Sequence, residues 1–292
     1  MISCGETGCP VRPRRFIALC PLLLGLCALI TESPATAGEP TWDRLQDGLE
    51  FVGWDPGARC EEKVPALLIL KIDPERFRFS TYHFQDEGMA APLTIQEWQY
   101  RTGASVMFNA GLFRADYSYL GLLRKDGRWL GANPHPRWLG LFVAEPAAAQ
   151  TKLPKARVVD LETEPALVQN LPYREAAQSI MLLDRTGNPR VRHSGKRAHQ
   201  TVVGEDQRGR ILIIKTTDTV ALWELAVCLR EGPLGIALAM AMDGGASSDL
   251  LIQDNLLQNI RAGAIEEWRS VVDGSGQSHI PLPSVIGVFA RK

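Results

Sequence analysis

Apolar residues in this chain fall mostly into short runs bounded by glycine, proline or charged turns. That pattern predicts many buried strands and few helices. Ala66–Ile72 is an apolar strand, closed by the turn Asp73-Pro74. Phe77–His83 alternates Phe77, Phe79, Thr81 and His83 against Arg78, Ser80 and Tyr82, and the two are placed to form a hairpin. Thr94 has the chemistry of an N-cap for a helix over Ile95–Arg101, which Gly103 ends. Ser105–Asn109, Leu139–Ala144, Ala177–Leu183 and Ser284–Phe289 are further strands. Two hairpins follow from turn chemistry: one around Asp126-Gly127, the other joining Thr201–Glu205 to Arg210–Thr216. Asp218 or Thr219 caps the strongest helix, whose stripe carries Val220, Trp223, Val227 and Cys228 and which Gly232-Pro233 stops. That helix leads into a strand over Ala237–Met242, giving strand–helix–strand with the look of a crossover. Thr41–Leu49 reads as a polar lead-in, Gly53–Pro65 as a loop carrying Cys60, and Glu145–Pro172 as an irregular crossing. A short helix is expected within Ile260–Asp273.

These elements predict a single α+β domain with a mixed, largely antiparallel central sheet flanked by a few helices. Residues 38–65 form its N-terminal approach and 66–292 the domain itself. The candidate chemistry lies where two apolar runs stop. Ala237–Met242 ends at Asp243-Gly244-Gly245, with Ser247 and Ser248 beside it, before Leu250–Ile252 resumes. Ser105–Phe108 likewise ends at Asn109-Ala110-Gly111. A carboxylate, an amide, hydroxyls and bare glycine N–H groups at two strand ends form a plausible ligand wall. An ordinary glycine-rich turn is the competing interpretation, since Asp-Gly is a common turn dipeptide. A serine hydrolase built on Ser247 fits poorly, because Gly245-Ala246-Ser247-Ser248-Asp249 lacks the closing glycine of a nucleophile elbow. Trp138 and Tyr117 are candidates for stacking on a sugar face, against a core role for the tryptophan.

Composition narrows the function classes. The 292 residues are 45% hydrophobic and 22% charged, with a net charge of −1, so no basic surplus points to nucleic acid. Arg12, Arg14 and Arg15, the apolar Phe16–Ile30 and then Ala35-Thr36-Ala37 have the form of a secretory signal over residues 1–37. The expectation is an exported protein, periplasmic or secreted, with no stable membrane span once the signal is removed. Four of the six cysteines lie in that leader, leaving Cys60 and Cys228. An exported protein could pair them. The place of Cys228 on the apolar helix stripe favours instead a small buried hydrophobe. The five histidines are scattered and no spacing resembles a metal site, so neither metal nor cofactor is expected.

The ordered motifs carry a resemblance. Asn109-Ala110-Gly111-Leu112-Phe113, Gly121-Leu122-Leu123, Asp126-Gly127, Gln178-Ser179, Thr201-Val202-Val203-Gly204, Leu222-Trp223-Glu224-Leu225-Ala226 and Met242-Asp243-Gly244-Gly245-Ala246-Ser247 follow one another as in the phosphodiester glycosidase family. The chain resembles that family over about 66–291. Two departures stand out: Ile180-Met181 replaces a Gly-Pro, and Gln200 stands where the family has arginine. The resemblance implies hydrolysis of a glycosyl phosphodiester, or related envelope glycan, at the glycosidic side. A carbohydrate or sugar phosphate is the implied substrate, with Asp243 as the key carboxylate and Glu224 as a possible second. Asn109, Gly111, Gln178, Ser179, Arg197, Gln200, Thr201, Gly244, Gly245 and Ser247 are the implied substrate-binding positions. A phosphodiester is already a good leaving group, so one carboxylate with anion stabilisation would serve. Because glutamine cannot neutralise a phosphate as arginine does, a non-catalytic glycan-binding protein of the same fold is the alternative.

Overall fold

The computed structural model describes residues 40–131, 133–148, 152–260, 269–275 and 279–292. The expected signal segment lies outside them, as does part of the expected Ile260–Asp273 helix. The first strands are β1 (Asp43–Gln46), β2 (Leu49–Trp54), β3 (Leu67–Ile72) and β4 (Phe77–His83). Helix α1 (Ile95–Thr102) precedes β5 (Val106–Asn109), β6 (Leu123–Lys125), β7 (Arg128–Trp129), β8 (Gly140–Pro146) and β9 (Ala156–Asp160). Then come β10 (Tyr173–Leu183), β11 (Thr201–Asp206), β12 (Ile211–Thr216), α2 (Leu222–Glu231) and β13 (Ile236–Ala241). The described chain ends with β14 (Leu250–Ile252), α3 (Asp254–Leu257), α4 (Arg269–Val272) and β15 (Ser284–Ala290).

Two sheets form. An 11-stranded sheet runs β1-β2-β3-β12-β11-β13-β10-β6-β7, with β8 on β10 and β9 on β8. A 4-stranded sheet runs β14-β5-β15-β4. The strand pairs within them are antiparallel, as in β3 with β12, β11 with β13 and β5 with β15. Alternation along each strand divides its side chains between two layers. Leu68, Leu70, Ile211, Ile213, Leu238 and Met240 point from the large sheet into a core shared with Phe79, Phe108, Ile286 and Val288 of the small one. Their neighbours Leu67, Ile69, Leu212 and Ile214 face the other way, onto Leu225, Ala226 and Leu229 of α2. On the outer side of the small sheet, Ile95 and Trp98 of α1 cover Met107, Leu251 and Val285. The layers are therefore helix, large sheet, small sheet, helix. Together they make one α+β body with a largely antiparallel framework.

The hairpin expected from β3 and β4 does not form. β3 pairs with β2 and β12, whereas β4 pairs with β15 in the other sheet. The turn at Asp73, whose carbonyl accepts from Arg76 and Phe77 N–H, passes the chain between layers. Periodicity could not separate these outcomes, because β3 is buried on both faces and suits either sheet. The Glu145–Pro172 crossing contains β9, and the polar lead-in contains β1 and the start of β2. α1 keeps its expected ends: Thr94 and Glu97 form a reciprocal capping box, and Gly103 closes it at φ 69°. α2 is different. Its N-cap is Ala221, with no side-chain cap, because the Asp218 carboxylate instead accepts from the next N–H, that of Thr219.

Cys228 is both buried and bridged, contrary to its interpretation as a free hydrophobe. It pairs with Cys60 across a Cα–Cα distance of 5.2 Å and a sequence separation of 168. Closing so long a loop restricts the unfolded chain by about 5 kcal/mol in the chain-entropy picture. The bridge pins α2 to the turn at Gly57–Cys60. α2 connects β12 to β13, which lie on either side of β11 and run parallel to each other. The expected crossover is thus real, and it delivers the chain to Asp243.

Candidate functional site

β13 ends where the chain leaves the large sheet. Met242 N–H still donates to Thr201 O at 2.8 Å, but Asp243 N–H donates to Ala110 O at 3.2 Å. The next strand, β14, pairs with β5 in the small sheet. The expected strand–loop–strand at Asp243 therefore spans two sheets, and its loop closes the end of the inter-sheet core.

Asn109, the last residue of β5, holds both ends of that loop. Its side-chain N–H groups donate to Asp243 O at 2.8 Å and Ala110 O at 3.1 Å. Its Oδ1 accepts from Asp249 N–H at 3.0 Å, and its own N–H donates to Asp249 O at 3.3 Å. With the residue 1% exposed, this amide works as an internal clamp. The expected substrate-orienting role would have to act through the loop it holds.

The glycines have an internal role as well. Gly111 N–H donates to the Tyr119 hydroxyl at 3.0 Å, Gly244 N–H to the Asp243 carboxylate at 3.0 Å, and Gly245 N–H to His199 O at 2.8 Å. The N–H groups expected to face a ligand already have acceptors. What the positions require is space. A Cβ on Gly111 would lie 2.3 Å from the Tyr119 hydroxyl and 2.7 Å from Gln178 O. One on Gly244 would lie 2.9 Å from Gln200 Oε1 and 3.0 Å from His199 O.

Asp243 itself is half-buried, between the buried Met242 and the exposed Ala246. Burial raises its carboxyl above the ordinary range, and the Ser247 hydroxyl and Gly244 N–H offset part of that. No ion pair reaches it among the described residues. Nearby, burial also raises the Tyr119 hydroxyl, whose proton is donated to Gln178 O at 2.8 Å, and the Asp243 charge adds to that effect.

The other expected site residues divide into two groups. Gln178, Ser179, Gln200 and Thr201 lie around the Asp243 loop but are engaged within the protein. Gln178 Oε1 accepts from Leu122 and His135 N–H, and its Nε2 donates to His135 O and Trp138 O. Ser179 donates to Ala241 O at 2.6 Å, and Thr201 shares a hydrogen bond with Ser248 at 2.9 Å. Gln200 is buried against Gly244. Arg197 and Glu224 form the second group, paired to each other at 2.6 Å. Arg197 also donates to Lys63 O and Thr219 O. Glu224 lines a cavity of about 160 Å³ beside the disulfide, together with Trp223 and His193. Among the described residues no hydrogen bond or ion pair joins this pair to Asp243. Trp138 stacks on His135 at 3.9 Å, while Tyr117 remains 41% exposed.

Sequence reasoning missed three charged or titratable groups beneath the loop. Lys215 is 1% exposed and donates to Ser248 O at 2.6 Å and to its hydroxyl at 3.2 Å. Asp249 is buried and meets His279 Nδ1 at 2.5 Å. Lys215 shares a strand face with Ile211 and Ile213, but the sequence does not show that a second sheet covers that face. Asp249 and His279 are far apart in sequence and offered no signal. No cluster of three or more His, Cys, Asp or Glu side chains suited to a metal occurs among the described residues.

The architecture has known counterparts. A hypothetical protein from Synechocystis superposes with TM-score 0.55 at 14% identity, covering 88% of this chain and 65% of that one. This chain therefore spans just under two thirds of that protein. The catalytic domain of zebrafish N-acetylglucosamine-1-phosphodiester alpha-N-acetylglucosaminidase superposes with TM-score 0.54 at 16% identity, covering 89% and 85%. At such identities the likeness concerns the fold. No curated protein matches the chain in sequence. A sequence model of the phosphodiester glycosidases matches residues 102–289, more than half of the chain and the span holding both strand-end loops. The chain belongs to the phosphodiester glycosidase family.

Proposed function

We propose that this protein is an exported glycosidase that hydrolyses a glycosyl phosphodiester or related envelope glycan at the anomeric carbon, with Asp243 as the key carboxylate. The observation that carries this is the state of Asp243: half-buried, without a cationic partner among the described residues, and raised in proton affinity. A carboxyl whose proton affinity is raised by burial in this way is suited to general acid–base catalysis. In the proposed reaction the anomeric C–O bond breaks. Water supplies the oxygen to the sugar, and the phosphate leaves as a monoester. A phosphate monoester needs little help in leaving, so a single carboxylate is sufficient. Asn109, Ser247 and Gly244 fix the position of that carboxylate. Export is supported by the Cys60–Cys228 disulfide, which suits an oxidising compartment. No helix among the described residues is long and apolar enough to cross a membrane.

A second interpretation, a glycan-binding protein without turnover, is favoured by one feature. The glycine N–H groups are engaged internally and Gln200 brings no charge, so the loop presents no evident anion cradle. The discriminating experiment offers the purified protein a panel of synthetic glycosyl phosphodiesters, including an N-acetylglucosamine 1-phosphate methyl diester. Sugar release by the wild type, with binding but no release by Asp243→Asn, supports the enzyme. Binding without release by both proteins supports the alternative.

A further inference from the structure

The family resemblance places a cation at position 200, where this chain has glutamine. The structure has a cation one strand away. Thr201 and Lys215 are cross-strand partners in the β11–β12 register, so Lys215 shares the face of Thr201, while Gln200 lies opposite Thr216. Its side chain follows Ile211 and Ile213 into the space between the sheets and ends under the Asp243 loop.

Burying a lysine this completely is costly unless its ammonium is satisfied. Here Nζ donates to Ser248 O at 2.6 Å and contacts the Ser248 hydroxyl at 3.2 Å. That hydroxyl is shared with Thr201 at 2.9 Å. The following residue, Asp249, donates its N–H to Asn109 Oδ1, accepts from Asn109 N–H at its carbonyl, and meets His279 through its carboxylate. Asn109 then holds Asp243 O. A connected polar path thus runs from a buried ammonium through Ser248 and Asp249 to the backbone of Asp243. Lys215, Thr201, Ser248, Asp249 and Asn109 are all less than a tenth exposed.

We infer that Lys215 is a positioning residue: its ammonium fixes the Asp243–Asp249 loop from below, and so sets the orientation of Asp243 without touching substrate. An apolar side chain there would fill the core but would leave the buried Ser248 carbonyl without this donor. A charge in its place gains directional bonds to one carbonyl and one hydroxyl of the loop. Burial lowers the Lys215 ammonium to about 8, and the Asp249 charge partly opposes this. Asp249, whose carboxylate also meets His279, is the charged group facing it. The inference rests on Asp243 being the working carboxylate, but its test does not depend on turnover.

The test compares wild type, Lys215→Met and Ser248→Ala by amide hydrogen exchange and by NMR titration of the Asp243 carboxyl. Met retains the volume and removes the charge; Ser248→Ala keeps Lys215 and its carbonyl acceptor while removing the hydroxyl. Lys215→Met is expected to lose protection at Gly244–Leu250 by tenfold or more, beyond any loss in the slowest-exchanging core amides. Its Asp243 titration should shift toward the ordinary carboxylate range as the loop loosens. Ser248→Ala should show the same changes in weaker form and serves as the readout if Lys215→Met does not fold. With an active substrate, kcat should fall more than KM changes. Unaltered exchange at Gly244–Leu250 together with an unaltered Asp243 titration would overturn the inference, whether or not the wild type turns over any substrate. If the wild type has no turnover while both loop readouts shift as expected, the functional proposal fails and the positioning role stands.

Discussion

Two carboxylates, Asp243 and Glu224, show how differently this fold treats the same chemistry. Glu224 lies on α2 and is matched by the Arg197 guanidinium at 2.6 Å, beside the disulfide. Asp243 lies where the two sheets meet, with a hydroxyl and an N–H as its partners and no counter-charge among the described residues. The first is neutralised where it stands. The second bears a desolvation cost that the surrounding hydrogen bonds only partly offset, which is the usual condition of a group kept for proton transfer. Sequence alone treated both as candidate catalytic groups, since each falls within a family motif. Packing separates them: α2 belongs to the outer layer, and the Asp243 loop to the seam between the sheets.

The sharpest way to break this contrast is to neutralise Asp243. Asp243→Asn should reduce turnover of a cleaved phosphodiester by about 10³-fold, within the range for a proton-transferring side chain. A loss below tenfold in steady-state assays would place the chemistry elsewhere.

The disulfide tests the other side. Replacing Cys60 and Cys228 by serine should destabilise the protein by about 2–5 kcal/mol in denaturant titration. Activity per folded molecule should stay within about threefold, because the bridge anchors α2 and not the Asp243 loop. Equal losses of activity and stability would show that the two regions are coupled.

A smaller effect concerns pH. Because the folded-state carboxyl of Asp243 is raised, the native protein holds its proton over a range in which the unfolded chain has released it. This contribution favours the fold at low pH and is lost as pH rises through the raised value. Asp243→Asn, which removes it, should therefore be more stable than wild type near neutrality. That advantage should shrink as pH falls toward the ordinary carboxylate range. Thermal melts from pH 4 to 8 check the sign, and a stability gap independent of pH would contradict it.

The smallest effect is expected at Glu224. Glu224→Gln breaks a partly exposed ion pair, worth at most about 1 kcal/mol, and should change kcat by less than about twofold. A thousandfold loss would restore Glu224 as the second catalytic carboxylate.

Much of this was legible in the chain. Local signals gave the α1 caps, the Asp126-Gly127 hairpin, the β11–β12 hairpin and the crossover into β13, because capping and turn chemistry act over a few residues. Sheet membership was not legible. β3 and β4 join different sheets although they are close neighbours, and β13 and β14 do the same across the Asp243 loop. Runs buried on both faces carry no periodicity to show which partner they choose. At the candidate site, residue identity was easier to read than role. Asn109, Gln178 and the glycines stood out, yet the structure engages them in holding loops together. Lys215 passed unnoticed because one charge at the end of Ile211–Ile214 reads as a strand end. Only the second sheet shows that it is buried.

The most direct measurement of the central claim follows the oxygen. The wild-type protein is incubated in ¹⁸O-labelled water with an N-acetylglucosamine 1-phosphate methyl diester, and the products are weighed by mass spectrometry. Glycosidic cleavage assisted by Asp243 predicts ¹⁸O in the released sugar and unlabelled methyl phosphate, with both products lost in Asp243→Asn. Label in the phosphate, or products that persist in that variant, would contradict the account.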